Sequence, residues 1–273
     1  MTDTEWAEVR DLLPVPAWMG HRGGRPEGYC HREILDAIRY AVDNGGKWAA
    51  LPVHYPPYKR VHAFFTRWRD HGLIAEFHDR LRDRVRVGEG RDPRPTAAVI
   101  DSQAVKAAAT VHSPTRGFDG GKLINGRRRH LTVDTLGLVL IVAVTPANAG
   151  ERVTAATMLP RLTERSHRIR RLWADSGYTG DLVSWAKRDL DVRVDIVRRT
   201  DDLSGFQVVP RRWVVERTFS WLMRSRRLVR DYERRPDSSE ARILWSMSKR
   251  LARRRTRENT TGAITPRWAV AAA

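Results

Sequence analysis

The chain has 273 residues, of which 41% are hydrophobic and 30% are charged. These values exclude an intrinsically disordered chain and fit one large or two modest globular domains. The 50 Lys and Arg residues outnumber the 32 Asp and Glu residues, and the formal net charge of +18 favours a polyanionic partner such as nucleic acid.

The cysteine count and the apolar segments exclude further classes of protein. The single cysteine, Cys30, cannot form an intrachain disulfide or a Cys-rich zinc site. The N-terminal segment carries Asp3, Glu5 and Glu8 and has no apolar core, so it is not a secretory signal. The longest strongly apolar run, residues 138–144, is too short to span a bilayer. We therefore expect a cytoplasmic, nucleoid-associated protein without a membrane partner.

Residues 1–90 are expected to form an all-α domain that binds DNA. The segment 31–43 places Ile34 and Ile38 on one face of a helix, which the Asn-Gly-Gly sequence at 44–46 then ends. A short helical piece and a basic helix from Tyr58 follow, an order that resembles a helix-turn-helix arrangement. The alternative is an ordinary three-helix bundle with a solvated basic face. The candidate DNA contacts of the basic helix are Lys59, Arg60 and Arg67.

A Gly-, Pro- and charge-rich linker at residues 87–95 separates this region from a second pattern. Strands are predicted at 97–100, 131–133, 138–145, 169–174 and 192–197, and helices at 153–162, 180–190 and 211–230. A mixed five-stranded sheet flanked by helices in this order is that of an RNase H-like core, although other α/β folds share it. We assign the catalytic domain to residues 96–257 and expect the tail, 258–273, to be disordered.

Three carboxylates are candidates for one metal site. Asp101 and Asp175 are predicted at the ends of two strands, where ligands of α/β sheets usually bind. Glu216 lies on the polar arc of the 211–230 helix, opposite its apolar face. Three acids from separate segments can hold Mg²⁺, which prefers oxygen ligands. Each acid has a structural alternative, because an Asp at a strand end often caps a turn and a Glu among arginines often forms a surface ion pair.

The sequence around these acids resembles bacterial insertion-sequence transposases of the DDE class, in the insertion-sequence-five-like group. The resemblance runs from Trp6 to about Arg255 and includes several motifs in the family's order. The motifs are DSQAVK at 101–106, GK and NGR within 121–127 followed by RH and VDT, TPAN at 145–148, WADSGYTG at 173–180, and PRRWVVERTF and RRLVRDYE in the segment 210–233. In the signature around the glutamate, Val209 replaces a tyrosine, and Met223 occupies the basic position with Arg224 next to it.

The resemblance implies a catalytic and metal-binding triad of Asp101, Asp175 and Glu216. It implies Mg²⁺-dependent hydrolysis at the ends of an insertion sequence, with two ions expected and Mn²⁺ as a substitute. The freed 3′-hydroxyl then attacks target DNA by transesterification. Implied partners are double-stranded terminal inverted repeats, target DNA, and further copies of the chain in a homodimer or higher assembly. The remaining expected DNA contacts are Lys122, Arg127, Arg129, His130, Arg212, Arg217, Arg224 and Arg227.

Three rival functions remain open at this point. A helix-turn-helix repressor would explain the charge but would not need three acids. A nuclease or resolvase of the same fold would cleave DNA without joining it. A serine or tyrosine recombinase would need an activated hydroxyl nucleophile, for which Tyr178 and Tyr232 are the tyrosines nearest the motifs.

Overall fold

A computed structural model describes residues 1–19, 28–197 and 212–261, the last five of them by backbone alone. The chain forms two compact units. One contains Met1–Tyr40, Lys47–Pro93 and Trp245–Ala273, and the other contains Ala41–Gly46 and Arg94–Leu244. Of the tail expected to be disordered, residues 262–273 lie outside the described part of the chain.

The helical unit is built around aromatic rings. Its helices are α1 (Asp3–Val9), α2 (His31–Asn44), α3 (Tyr58–Asp70), α4 (Leu73–Gly88) and the C-terminal part of α8 (Pro236–Thr261). Trp68 of α3 is fully buried, and its ring centroid lies 4.7 Å from that of Phe64 and 5.8 Å from that of Trp245 on α8. Because Trp245 completes this aromatic core, the end of α8 groups with the N-terminal helices, whereas the sequence analysis placed it in the catalytic domain.

The second unit contains one mixed sheet. Its strands are β1 (Ala97–Lys106), β2 (Gly117–Asp119), β3 (Ile124–Asp134), β4 (Val139–Pro146), β5 (Arg171–Ala174) and β6 (Arg193–Ile196). The strand order is β2-β3-β1-β5-β6, with β4 also paired to β3. β3 is antiparallel to β1, β2 and β4, whereas β5 is parallel to both β1 and β6.

Helices pack with the sheet, and one of them connects its last two parallel strands. They are α5 (Glu151–Arg165), α6 (Asp181–Leu190), α7 (Trp213–Leu222) and the first turns of α8. One core cluster joins α5 and α6 to the sheet and contains buried residues such as Met158, Leu159 and Ile100. Three antiparallel strands followed by two parallel strands with helical connections form an RNase H-like core, which confirms the predicted fold class. Among the described helices, none combines the length and apolar character that a membrane crossing requires.

The structure differs from the sequence prediction in three respects. β1 and β3 are longer than expected because they remain paired out to Lys106 and Gly126, so Asp101 lies inside β1 rather than at its end. The short strand β2 was not predicted. The helix predicted over 211–230 ends at Leu222, and Arg226–Leu228 forms a separate 3₁₀ turn. Long-range contacts to the 41–46 segment, such as the Ser225–Asp43 hydrogen bond, outweigh the helical periodicity there.

A buried glutamate meets an outer strand of this sheet. Glu240 of α8 accepts a hydrogen bond from the backbone N–H of Val144 on β4, at 3.0 Å. Among the described strands β4 pairs with β3 alone, so this carboxylate satisfies a donor that the sheet leaves open. Burial raises the pKa of Glu240 from its ordinary value of 4.5 to about 7, although the Val144 hydrogen bond and the charge of Arg161 oppose the rise.

The raised pKa of Glu240 predicts a pH-dependent stability. Between pH 4.5 and 7 the unfolded chain releases this proton while the folded chain keeps it, so stability falls as the pH rises. The loss amounts to about 3 kcal/mol and levels off above pH 7. Glu240→Gln should remove it, because the amide oxygen still accepts the Val144 hydrogen bond. In urea unfolding from pH 4.5 to 8.5, the free energy of unfolding of the variant should rise relative to that of the wild type up to pH 7. An equal pH dependence of the free energy of unfolding in the two proteins would contradict this.

Candidate active site

Asp101 is the buried acid of the site. It lies in the middle of β1, and its Oδ1 accepts a hydrogen bond from the backbone N–H of Ser102 at 2.7 Å. Burial raises the pKa of the Asp101 carboxyl to about 6; the Ser102 hydrogen bond and Arg212 oppose the rise, and the carboxylate of Asp175 adds to it. Burial therefore makes the charged form of Asp101 less favourable than that of an exposed carboxyl, and a cation bound nearby would stabilise it.

Asp175 is the neighbour of Asp101 across the parallel strands. β1 and β5 pair in the register Val99↔Trp173, and two further residues along each strand lead to the two acids. Asp175 caps a 3₁₀ turn directly after β5, and its Oδ1 accepts the backbone N–H of Gly177 at 2.9 Å. Parallel pairing thus brings together two acids that are 74 positions apart in the sequence.

The third acid joins them around a single guanidinium group. Nη2 of Arg212 lies 3.7 Å from Oδ2 of Asp101, 3.6 Å from Oδ2 of Asp175 and 3.8 Å from Oε1 of Glu216. Glu216 is exposed in the first turn of α7, one helical turn after Arg212, while Val215 and Phe219 of α7 are buried. The structure therefore brings together all three acids that the sequence analysis selected.

The donor set fits a hard divalent cation. Three carboxylates from separate segments converge on one positive charge, and oxygen ligands of this kind suit Mg²⁺ or Mn²⁺. In this arrangement the three acids surround the guanidinium group of Arg212 instead of a metal ion. Within residues 1–19, 28–197 and 212–256, no group of three His, Cys, Asp or Glu side chains is arranged so that it could hold an ion. Arg212 and a metal ion would therefore compete for the same negative charge.

A fourth acid, which was not predicted, lies beside the triad. Glu151 is the first residue of α5, and its Oε1 accepts a hydrogen bond from the Ser102 hydroxyl at 2.5 Å. Nη1 of Arg128 lies 3.7 Å from the same oxygen. The position of Glu151 just after the TPAN motif at 145–148 was an available signal. The predicted helix began at 153, however, and an acid at a helix start ordinarily needs no partner beyond the helix dipole.

Comparison with known proteins places the chain in a family. A family model described as "Transposase DDE domain" matches residues 92–248, which is more than half of the chain. The chain belongs to the DDE transposase domain family. A second model, "Putative transposase of IS4/5 family", matches residues 1–78, so the predicted resemblance is confirmed. Membership of a DDE family implies the use of a divalent metal ion.

A curated relative described as a transposase agrees with this assignment. The chain is 31% identical over 147 residues to a "Putative transposase for insertion sequence element IS402" from Burkholderia cepacia, which covers 51% of the chain and 66% of that protein. It is 30% identical over 76 residues to the uncharacterized protein y4sN of Sinorhizobium fredii, covering 28% of the chain and 58% of that protein. The chain thus spans less than two thirds of the length of these curated relatives.

Solved structures also match the chain, and a transposase complex is among them. The "Drosophila P element transposase strand transfer complex" matches with a TM-score of 0.28 and 12% identity, covering 71% of this chain and 47% of that one. A similarity at this level is too low to support an inference about fold or function.

Three residues expected to bind DNA in this DDE-family chain are buried, and that expectation is wrong for them. Arg127 is fully buried, with Nη1 3.2 Å from Oδ1 of Asp231. Arg129 is also fully buried and donates to the backbone oxygen of Leu228 at 2.6 Å. Burial lowers the pKa of His130 to about 3, so its ring is neutral and buried beside Thr145. These side chains hold the fold together and do not reach a phosphate.

The arginines after Glu216 divide into structural and exposed groups. Arg217 lies between the rings of Trp213 and Trp221, at 4.3 and 4.8 Å from their centroids, and donates to a backbone oxygen. Arg227 lies 2.7 Å from the Glu233 carboxylate and donates to the backbone oxygens of residues 45 and 46. The expectation that Arg227 shares the exposed arc of Glu216 is therefore wrong, because the helix ends before it. Arg224 is exposed.

The other expected DNA contacts lie on the surface of their own units. Lys122 is exposed in the turn between β2 and β3. Lys59, Arg60 and Arg67 are exposed on α3, whose apolar side chains face the aromatic core. Exposure is compatible with phosphate contact but equally with a solvated basic face, so these four contacts remain predictions.

Proposed function

We propose that the chain is a DNA transposase that cleaves insertion-sequence ends by metal-dependent hydrolysis and joins the freed 3′-hydroxyl to target DNA. The main support for this proposal is that Asp101, Asp175 and Glu216 converge around the guanidinium group of Arg212. The DDE family match and the net charge of +18 support it, since the first implies phosphodiester chemistry and the second a polyanionic substrate. Recognition of terminal inverted repeats by the N-terminal unit is part of the same proposal.

The three acids would hold divalent metal ions, with two ions in each site. We propose Mg²⁺ as the natural ion and Mn²⁺ as a substitute. When bound, such ions activate the attacking oxygen and stabilise the leaving oxygen of a phosphodiester. The backbone N–H groups of Ser102 on β1 and of Gly177 in the turn after β5 orient Asp101 and Asp175, and the first turn of α7 supplies Glu216. Arg212 offsets part of the negative charge of the three acids, and the same guanidinium group can bind a phosphate once the acids bind metal.

A cavity near the end of β1 extends the proposed DNA surface beyond the residues that the sequence analysis selected. Its volume is about 340 Å³, and its lining includes the cations Lys106, Arg116 and Arg230 together with Phe118 and Leu123. The Phe118 and Leu123 side chains are 55% and 75% exposed. Cations beside exposed apolar groups suit a DNA strand, because phosphates pair with the former and bases pack on the latter.

The structure disfavours Tyr178 as the nucleophile of a tyrosine recombinase. Tyr178 is fully buried, and burial together with the carboxylates of Glu151, Asp101 and Asp175 raises the pKa of its hydroxyl. A buried phenol that resists ionisation is poorly suited to attack a phosphodiester. A repressor would bind DNA without metal-dependent cleavage, and a nuclease would cleave without joining.

The proposed function is tested with purified protein and DNA that carries the two ends of its own element. In Mg²⁺, or Mn²⁺ as a substitute, we expect strand breaks at the element termini, and none in the presence of a chelator. DNA binding without any metal-dependent break would contradict the proposal and favour a repressor.

Arg224 provides a test of DNA contact beside the acids. Arg224→Ala should reduce the slope of log K against log salt by about 0.9, the value for one neutralised phosphate, and barely change the melting temperature. Arg227→Ala is the matched control, because this arginine is committed to Glu233 and two backbone oxygens. It should lower the melting temperature and leave the salt slope unchanged. The reverse pattern would show that the two roles are misassigned.

A further inference from the structure

Glu151 lies between the two chain segments that carry the first two acids. On one side its Oε1 accepts the hydroxyl of Ser102 at 2.5 Å. On the other side it lies against Gly177, where an added Cβ atom would fall 2.1 Å from Oε2 of Glu151 and 3.0 Å from Oδ1 of Asp175. The carboxylate of Glu151 is therefore in tight contact with the residue after Asp101 and with the turn after Asp175.

These two contacts fall on the residues that orient the acids. The backbone N–H of Ser102 donates to Asp101 at 2.7 Å, and the backbone N–H of Gly177 donates to Asp175 at 2.9 Å. A displacement of Glu151 would loosen both donors at once. The absence of a side chain at Gly177 is what allows the carboxylate to approach the turn this closely.

Glu151 is itself held in place from the side of β3. Nη1 of Arg128 lies 3.7 Å from Oε1 of Glu151 and donates to the backbone oxygen of Ala149 at 3.1 Å. Nη2 of the same guanidinium group donates to Oδ2 of Asp119 at 2.6 Å. The resulting chain of contacts from Asp119 through Arg128 and Glu151 to Ser102 fixes the carboxylate before any ligand binds.

We propose that Glu151 is a positioning residue of the metal site: it bridges Ser102 and the Gly177 turn and so sets the spacing between Asp101 and Asp175. The inference rests on the proposed function, in which these two acids bind the divalent ion. Groups that orient metal ligands typically contribute about 10–100-fold in metal affinity, even though they do not touch the ion.

Mn²⁺ binding to the full chain without DNA tests this role apart from catalysis. Calorimetric titration should show that Glu151→Ala weakens Mn²⁺ binding by about 10–100-fold. Glu151→Gln should weaken it much less, because the amide oxygen can still accept the Ser102 hydroxyl. The matched control is Glu164→Gln, which removes the same charge from an exposed position on the same helix and should bind like the wild type.

Ser102→Ala and Gly177→Ala extend the test to the two contacts of Glu151. Ser102→Ala should also weaken Mn²⁺ binding, and adding it to Glu151→Ala should cause little further loss, because both remove one contact. Gly177→Ala should weaken binding by forcing the carboxylate away from the turn. Should Glu151→Ala fail to fold by circular dichroism, these two variants provide the same comparison.

Two results would overturn the inference. One is Mn²⁺ binding in Glu151→Ala equal to that in the Glu164→Gln control. The other is an equal loss in Glu151→Gln and Glu151→Ala with no loss in Ser102→Ala, which would show that Glu151 acts through its charge. The Asp101→Asn variant distinguishes a failure of this inference from a failure of the proposed function. Unchanged Mn²⁺ binding in Asp101→Asn would show that the three acids are not the metal site, whatever the role of Glu151.

Discussion

Asp101→Asn, Asp175→Asn and Glu216→Gln are each expected to reduce DNA cleavage and strand transfer by at least about 10²–10³-fold while leaving DNA binding largely intact. The three carboxylates surround the guanidinium group of Arg212, where the metal ion is proposed to bind, so the loss of any one carboxylate removes a ligand of that ion. In the proposed function, DNA binding rests instead on Lys and Arg side chains at the surface. Cleavage gels and gel-shift titrations of the purified variants measure the two effects separately.

The loss of cleavage should not result from unfolding. Because burial already raises the pKa of Asp101 to about 6, the neutral Asn side chain should not lower the melting temperature at pH 7.5. Glu164→Gln, an exposed acid-to-amide change, is the activity control. Full cleavage by any one of the three folded triad variants would remove that residue from the proposed catalytic set.

Arg127→Ala and Asp231→Ala should each destabilise the fold by about 3–5 kcal/mol, because each leaves an uncompensated buried charge. Both side chains are essentially fully buried, and Arg127 also donates to the backbone oxygens of Glu233 and Arg234 at 2.8 and 3.0 Å. Chemical unfolding measures the loss. The double variant should lose less than the sum of the two single losses, since the charges disappear together.

The same variants decide between a structural role and a DNA contact for Arg127. Arg224→Ala serves as the control, because its exposed side chain should change the salt dependence of DNA binding and not the stability. A folded Arg127→Ala variant of wild-type stability whose DNA binding has a reduced salt slope would restore the original expectation for Arg127.

The meeting of the three acids was accessible from the sequence because the positions of Asp175 and Glu216 depend on local and regular features. Asp175 directly follows an apolar strand, and parallel pairing with β1 then brings it next to Asp101. Glu216 lies on the polar side of a helix whose other side is apolar, which periodicity alone reveals. The motifs of the family supplied the connection between these segments.

The roles of the arginines were not accessible in this way. An Arg-rich stretch such as 127–129 normally indicates a solvated or DNA-facing surface, yet Arg127 and Arg129 are buried within β3. Arg127 also donates to Thr115, but the other partners of the two arginines come from residues 228–234, about a hundred positions later in the chain. Only the tertiary structure brings these carbonyl oxygens and Asp231 to the arginines, so neither propensity nor periodicity indicates the burial.

Glu151 was missed for a related reason. Its contact with Ser102 spans 49 positions, and a glutamate that opens a helix has an ordinary local explanation. The close approach to Gly177 depends on the space left by a missing side chain, which the sequence shows only as one more glycine in a turn.

The central claim is tested most directly by joining pre-cleaved element ends to a target plasmid. Ends that terminate in a 3′-hydroxyl should be joined by the wild-type protein in Mg²⁺ or Mn²⁺, whereas ends that terminate in a 3′-deoxy sugar should not. Asp175→Asn should join neither. Failure of the wild type to join 3′-hydroxyl ends that it binds, or joining by Asp175→Asn at the wild-type rate, would contradict the assignment of a three-acid transposase.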